Sequence, residues 1–233
     1  MSDPVQLAID TSTSTAGLCI SRGGVPLADY TWAAHQDHTA TLMPAMDALF
    51  ALHRLTPADI NGIGVALGPG SFNGLRVGLA SAKGLALALD VPLVGVSTLE
   101  LTAWGHRAAS LPVCAVQDGG RKELLAAVYR SVDGEWTRLL EEQVITVEAL
   151  AGKIRGRTLV CGEAPAWARP LLAETLGNRA VFVEGVAATR RPAALAELAW
   201  PRLAQGDGDD AAALQPLYLR RPNITEPRRK PRG

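Results

Sequence analysis

Two segments carry residue types whose spacing could do chemistry. Asp10-Thr11-Ser12-Thr13 sets a carboxylate beside three hydroxyls at the end of an apolar run. Such a group can serve a metal-bound phosphate, the carboxylate holding Mg²⁺ or its water while the hydroxyls meet phosphate oxygens. It can equally cap a β-turn, and on residue types alone that is the better reading. The second segment, Gly68-Pro69-Gly70-Ser71-Phe72-Asn73-Gly74-Leu75-Arg76, lies where an apolar strand gives way to a nearly charge-free helix. Glycine lets the backbone approach a neighbour closely, and a helix start aims free N–H groups back at its loop. That geometry suits a phosphate or a tightly packed partner.

The spacing matches neither common nucleotide loop. Lys83 precedes Gly84 in mid-helix, whereas a P-loop needs lysine directly after glycine. Gly68-x-Gly70 is followed by three residues before Gly74, where the dinucleotide fingerprint has two. A structural tight turn is therefore favoured over a phosphate cradle. The remaining candidates are weaker. His35 and His38 lack the i, i+4 spacing that puts two imidazoles on one helical face, and no cysteine or carboxylate cluster completes a metal shell. Ser71 is misplaced for a G-x-S-x-G nucleophile elbow, and no triad is visible.

The elements that position these residues read as two α/β blocks. Val5 to Asp10, Ala16 to Ser21 and Val25 to about Trp32 are three antiparallel strands, with Arg22-Gly23-Gly24 as a hairpin turn. Leu42, Met46, Leu49 and His53 give a helical period over Thr39 to His53. Gly62 to Leu67 is a compact strand, Leu75 to Leu89 a helix, Val91 to Val96 a strand, and Ser97 caps a helix to about Ala109. A second block starts at Val113 and ends its first strand in Asp118, much as the first ends in Asp10. A hairpin over Leu124 to Tyr129 and Trp136 to Leu140 follows, then helices at Val147 to Lys153, Ala166 to Leu176 and Pro192 to Leu203 alternate with strands at Thr158 to Cys161 and Ala180 to Val183. A duplicated α/β unit with mixed sheets in two lobes is expected. The expected boundaries are 1–110 and 111–219, with a basic tail at 220–233 whose composition is that of a disordered segment.

Gly74, Gly78 and Ala82 form one stripe of small residues along the helix after the glycine loop, and Ala80, Gly84 and Ala88 another. Two mid-helix glycines, each costing about 1 kcal/mol against alanine, ask for compensation by close packing. Leucines at 75, 79, 85, 87 and 89 surround the other faces, so the helix is expected to be buried nearly all round. Its cover is either its own domain or another protein chain.

Lysine plus arginine equals aspartate plus glutamate at 23 each, so no global field attracts nucleic acid. Six basic residues fall in the last fourteen positions with only Glu226 against them. Such a tail is more often solvated than bound to nucleic acid. Cys19, Cys114 and Cys161 are far apart and form no C-x-x-C pair, which fits a reducing compartment. With no leader-like N-terminus and no long apolar stretch, a cytoplasmic location is expected. Gly206-Asp207-Gly208-Asp209-Asp210 reads as a mobile loop.

The run from Gly68 to Leu85 resembles the signature of the TsaB family, also called YeaZ. Ile9-Asp10-Thr11-Ser12, Leu42-Met43-Pro44 and Pro216-Leu217-Tyr218-Leu219-Arg220 agree with it in the family's order across nearly the whole chain. Asn73 stands where the family usually has threonine, and Asp118-Gly119-Gly120-Arg121-Lys122 replaces the more usual aspartate-alanine-arginine run. The resemblance implies an actin/hexokinase/Hsp70-like duplicated fold. It implies a non-catalytic subunit, without cofactor or metal, of the bacterial machinery that places threonylcarbamoyl on the adenosine beside the tRNA anticodon. Its partners would be the catalytic paralogue TsaD and the ATPase TsaE, with tRNA reached through the complex and a homodimer open to the same helices. The partner surface would then involve Leu42, Met46, Leu75, Arg76, Gly78, Leu79, Ala82 and Lys83. Asp10, Thr11 and Ser12 would be a vestigial nucleotide site. The competing reading is a kinase or ATPase of the same fold using Asp10.

Overall fold

The computed structural model describes residues 3–220. Two five-stranded mixed sheets form its frame. In the first, β1 (Val5–Asp10), β2 (Thr15–Arg22), β3 (Val25–Ala33), β4 (Ile60–Gly68) and β5 (Leu93–Ser97) lie in the order β3-β2-β1-β4-β5. In the second, β6 (Val113–Gly120), β7 (Glu123–Val132), β8 (Glu135–Ile145), β9 (Thr158–Glu163) and β10 (Ala180–Phe182) lie in the order β10-β9-β6-β7-β8. Read from the other edge, the second order repeats the first. Each sheet opens with an antiparallel meander and continues with parallel strands on the other side of its founding strand. This is a duplicated α/β architecture of two mixed sheets flanked by helices.

The strands that meet at the cleft are central, and their sequences show why. Every residue of β1 is buried, because helices cover both faces of the sheet. On one face α1 (His38–His53) and α2 (Phe72–Leu89) pack Leu42, Met46, Phe50, Leu79 and Ala82 against Leu7, Ile9 and Val65. On the other face α6 (Pro192–Leu203) lays Leu195, Ala196 and Ala199 against Ala8, Cys19 and Ala66. The second sheet is covered on its outer face by α4 (Val147–Lys153) and α5 (Ala168–Leu176), and on its inner face by α3 (Thr98–Trp104).

The halves thus exchange helices. α3, from the first half of the chain, packs on β6, β7 and β9, while α6, from the second half, packs on β1, β2 and β4. The segment after α6 stays with the first sheet, where the Leu217 amide donates to the Leu67 carbonyl at 2.8 Å. An expected second lobe of 111–219 follows the second sheet but does not keep α6, whose small inner face fits the first sheet instead. The loop at 206–210 is likewise tied down rather than mobile. Its Asp209 accepts from the Gly95 amide at 2.8 Å and pairs with Arg202 at 2.8 Å, and the Asp209 amide donates to Leu93. The tail expected to be disordered lies outside the described residues except for Arg220, which pairs with Glu123.

Candidate functional site

Asp10 ends β1 at the mouth between the lobes, and its carboxylate is fully engaged within the chain. One oxygen accepts from the Ser12 amide at 3.0 Å and the Ser12 hydroxyl at 2.6 Å. The other accepts from Arg190 Nε at 2.7 Å, in a pair whose side chains are each 3% exposed. Arg190 then crosses to the second lobe, where Nη1 donates to Glu163 at the end of β9 at 2.6 Å. Its Nη2 donates to the Thr13 hydroxyl at 2.9 Å and the Thr15 carbonyl at 3.3 Å. Burial opposes the guanidinium's charge, but Asp10 and Glu163 outweigh it and hold the Arg190 pKa above its ordinary value. A fixed internal cation therefore stands where a metal–phosphate reading of Asp10 would need a mobile one.

The glycine loop answers to the same neighbour. A Cβ on Gly74 would overlap the Thr11 carbonyl, one on Gly70 the Ser12 carbonyl, and one on Gly78 the Thr11 hydroxyl. Ser71 caps α2 by accepting from the Gly74 amide at 3.3 Å, and its own amide donates to Ser12 at 2.7 Å. Thr11 donates its hydroxyl to the Gly74 carbonyl at 2.7 Å. His38, buried at the start of α1, sets a ring nitrogen 2.7 Å from the Thr13 carbonyl. The glycines are thus used to press α2 onto the β1–β2 turn, the close packing that the sequence left as one of two options. In the second lobe Gly162, next to Glu163, holds a φ of +100°.

The expected partner residues separate into two groups. Leu42, Met46, Leu75, Gly78, Leu79 and Ala82 are buried in the chain's own core. Arg76 is exposed and Lys83 half-buried. The Gly74-Gly78-Ala82 stripe faces β1, and the expectation of a helix buried all round fails on its far side. There Ala80, Gly84, Leu87 and Ala88 are exposed, Leu87 by 85%, and nothing lies within 4 Å of a Cβ placed on Gly84. On the adjoining α1, Met43, Pro44, Ala48, Ala51 and Leu52 are exposed, Leu52 by 77%. Asp47, Arg76 and Lys83 are the only acidic or basic residues in the two helices apart from histidines. The resulting face is apolar and small-residue rich, of the kind that marks protein interaction sites.

The family model described as "TsaD: tRNA N6-adenosine threonylcarbamoyltransferase" matches residues 32–225. The chain is 30% identical to the tRNA threonylcarbamoyladenosine biosynthesis protein TsaB of Bacillus subtilis (strain 168), over 92% of this chain and 93% of that one. The chain belongs to the TsaB family. Its Escherichia coli (strain K12) member is 29% identical over 92% of this chain and 94% of its own. YeaZ from Pseudomonas aeruginosa, a solved structure, superposes with a TM-score of 0.79 at 26% identity, covering 93% of this chain and all of that one.

Among the described residues, no group of three or more His, Cys, Asp or Glu is placed to hold a metal ion, and no helix is long and apolar enough to cross a membrane. Arg190 is the residue at the centre of the cleft that sequence reasoning missed. Its partners Asp10 and Glu163 lie 180 and 27 residues away, so no local pattern announces them.

Proposed function

We propose that the chain is a non-catalytic subunit in tRNA threonylcarbamoyladenosine formation, and that it acts by pairing its α1–α2 face with a TsaD-type catalytic paralogue. The observation that carries this reading is the exposed face of Met43, Leu52, Ala80, Gly84, Leu87 and Ala88 beside a cleft whose acidic residue is already committed to Arg190. Family membership supports it, since relatives are named for that biosynthesis. Close helix packing across small residues is sterically general, and Gly84 supplies the room for it. The TsaE-type ATPase and tRNA enter through the assembled complex, and the same face can pair two copies of this chain. In this reading the protein stabilises its paralogue, and the first sheet is the scaffold that presents the two helices.

The test is Gly84→Arg. The substitution points into open space in the isolated chain, so the fold is retained, while a long charged side chain blocks a close helix contact. Co-purification with the TsaD-type protein and incorporation of labelled threonine into unmodified tRNA are both expected to fall at least tenfold. Wild-type pairing by the folded variant would remove α2 from the interface. Full modification of tRNA without this chain would remove the function itself.

A further inference from the structure

A second place on the molecule is built around charge rather than shape. The edge strands of the two sheets, β5 and β8, flank a groove of about 550 Å³ on which α3, α6 and residues 217 and 219 also border. Glu100 from α3 and Glu141 and Glu142 from β8 converge there on one guanidinium, that of Arg138, at 3.5, 3.2 and 3.6 Å. Arg202 also lines the groove, but Asp207 and Asp209 hold it at 2.9 and 2.8 Å. Among the described residues, three carboxylates face one available cation, an excess of negative charge at the groove.

The deficit is visible in individual atoms. Glu142, its side chain 7% exposed, accepts from the Tyr129 hydroxyl at 3.0 Å with one oxygen, while its other oxygen is buried with no partner among the described residues. An unpaired buried carboxylate oxygen is costly unless something arrives to satisfy it. Glu100 shows the same shortage, since burial raises its pKa and the nearby Arg138 only partly offsets this. Apart from Ser97, the rest of the lining is apolar, with Leu198, Leu217 and Leu219 half-buried along it. Carboxylates beside an aliphatic strip complement a molecule with methylenes between cationic ends, just as long cationic side chains bury their stems and keep their heads polar.

We propose that this groove binds an aliphatic diamine or polyamine, its methylenes on Leu198, Leu217 and Leu219 and its ammonium groups on Glu100, Glu141 and Glu142. Two ammonium groups match the excess charge, which a single ammonium would leave half unpaired. The site is independent of the α1–α2 face and of the Arg190 cleft.

Calorimetric titration of the full chain with putrescine tests the proposal, with n-butylamine and Mg²⁺ as the comparison probes. Saturable one-to-one binding of putrescine is expected, at least tenfold tighter than n-butylamine and undisturbed by millimolar Mg²⁺. Glu142→Gln should weaken it at least tenfold. Glu141→Gln, at an exposed position that cannot unfold the chain, should weaken it severalfold, and Glu174→Gln, remote from the groove, should leave it unchanged. Absence of saturation overturns the proposal, as does equal binding by wild type and Glu141→Gln. Butylamine binding as tight as putrescine would make this a single-ammonium site, and displacement by Mg²⁺ would make it a metal site; either result overturns the diamine assignment.

Discussion

Arg190 and Asp10 meet at 2.7 Å at the mouth between the lobes, both side chains all but sealed from solvent. Because Arg190 also holds Glu163, the pair fastens the end of β1 to the end of β9. A buried ion pair adds little net stability over an apolar substitute, yet removing one member is expensive because the other charge is left alone. Arg190→Met is therefore expected to cost about 3–5 kcal/mol, measured by urea denaturation. Asp10→Asn in the same background should recover a substantial part of that loss. Equal losses in the single and double variants would show that Arg190 acts by packing alone.

The two small-residue stripes of α2 should respond in opposite directions to the same substitution. Gly74 has the Thr11 carbonyl where a Cβ would go, so Gly74→Ala is expected to destabilise by roughly 1–3 kcal/mol through overpacking. Gly84 faces open space, and Gly84→Ala should stabilise the isolated chain by about 0.5–1 kcal/mol from helix propensity. Thermal denaturation of the two variants checks both signs. A stabilised Gly74→Ala would mean that α2 is not pressed onto the β1–β2 turn.

These contrasts show what was legible in the residues. The duplicated order of elements was, because periodicity switches between strand and helix at each boundary, and α4 and α6 have the expected limits at Val147–Lys153 and Pro192–Leu203. The closeness demanded by Gly74 and Gly78 was legible too, though not the identity of the neighbour, since a glycine records that something approaches without saying what. What covers Leu42, Met46 and Leu79 was not legible, because a buried apolar residue looks the same in the sequence whether its cover is its own sheet or another chain; in the structure they lie in the core of the first sheet. Only positions such as Gly84 and Leu87, exposed once the sheet is in place, separate the two. The Arg190 bridge needed three segments brought together by tertiary folding, and the strand-to-loop anchor at Asp209 lies 114 residues from Gly95.

Asp209 should make a pH-dependent contribution. Burial alone would raise its pKa, but hydrogen bonds from Arg202 and the Gly95 amide overcome this and leave it lowered. A carboxyl with a lowered folded-state pKa contributes stability above its unfolded value, about 3.9, and loses that contribution as pH falls through the folded value. Asp209→Ala is expected to cost about 1–2 kcal/mol at neutral pH from the lost hydrogen bonds. The gap from wild type should narrow progressively below about pH 4. Denaturation midpoints for both proteins between pH 7 and pH 3 would check this. A gap that stays constant over the range would show that Asp209 acts without its charge.

Cysteine chemistry offers a readout of the whole frame. Cys19, Cys114 and Cys161 are buried and unpaired, on β2, β6 and β9. Burial pushes the thiols of Cys19 and Cys114 up to about 12 and raises that of Cys161 as well. The thiolate is the reactive form, so all three should stay inert to a thiol reagent at pH 8 in the folded chain. In denaturant all three should react within minutes. Native-state labelling should follow opening of the sheets, and Arg190→Met, by weakening the bolt between β1 and β9, should speed it at Cys161 more than at Cys114, which faces the outer core under α4 and α5. Equal acceleration at both sites would mean that the variant loosens the whole fold rather than the seam between the lobes.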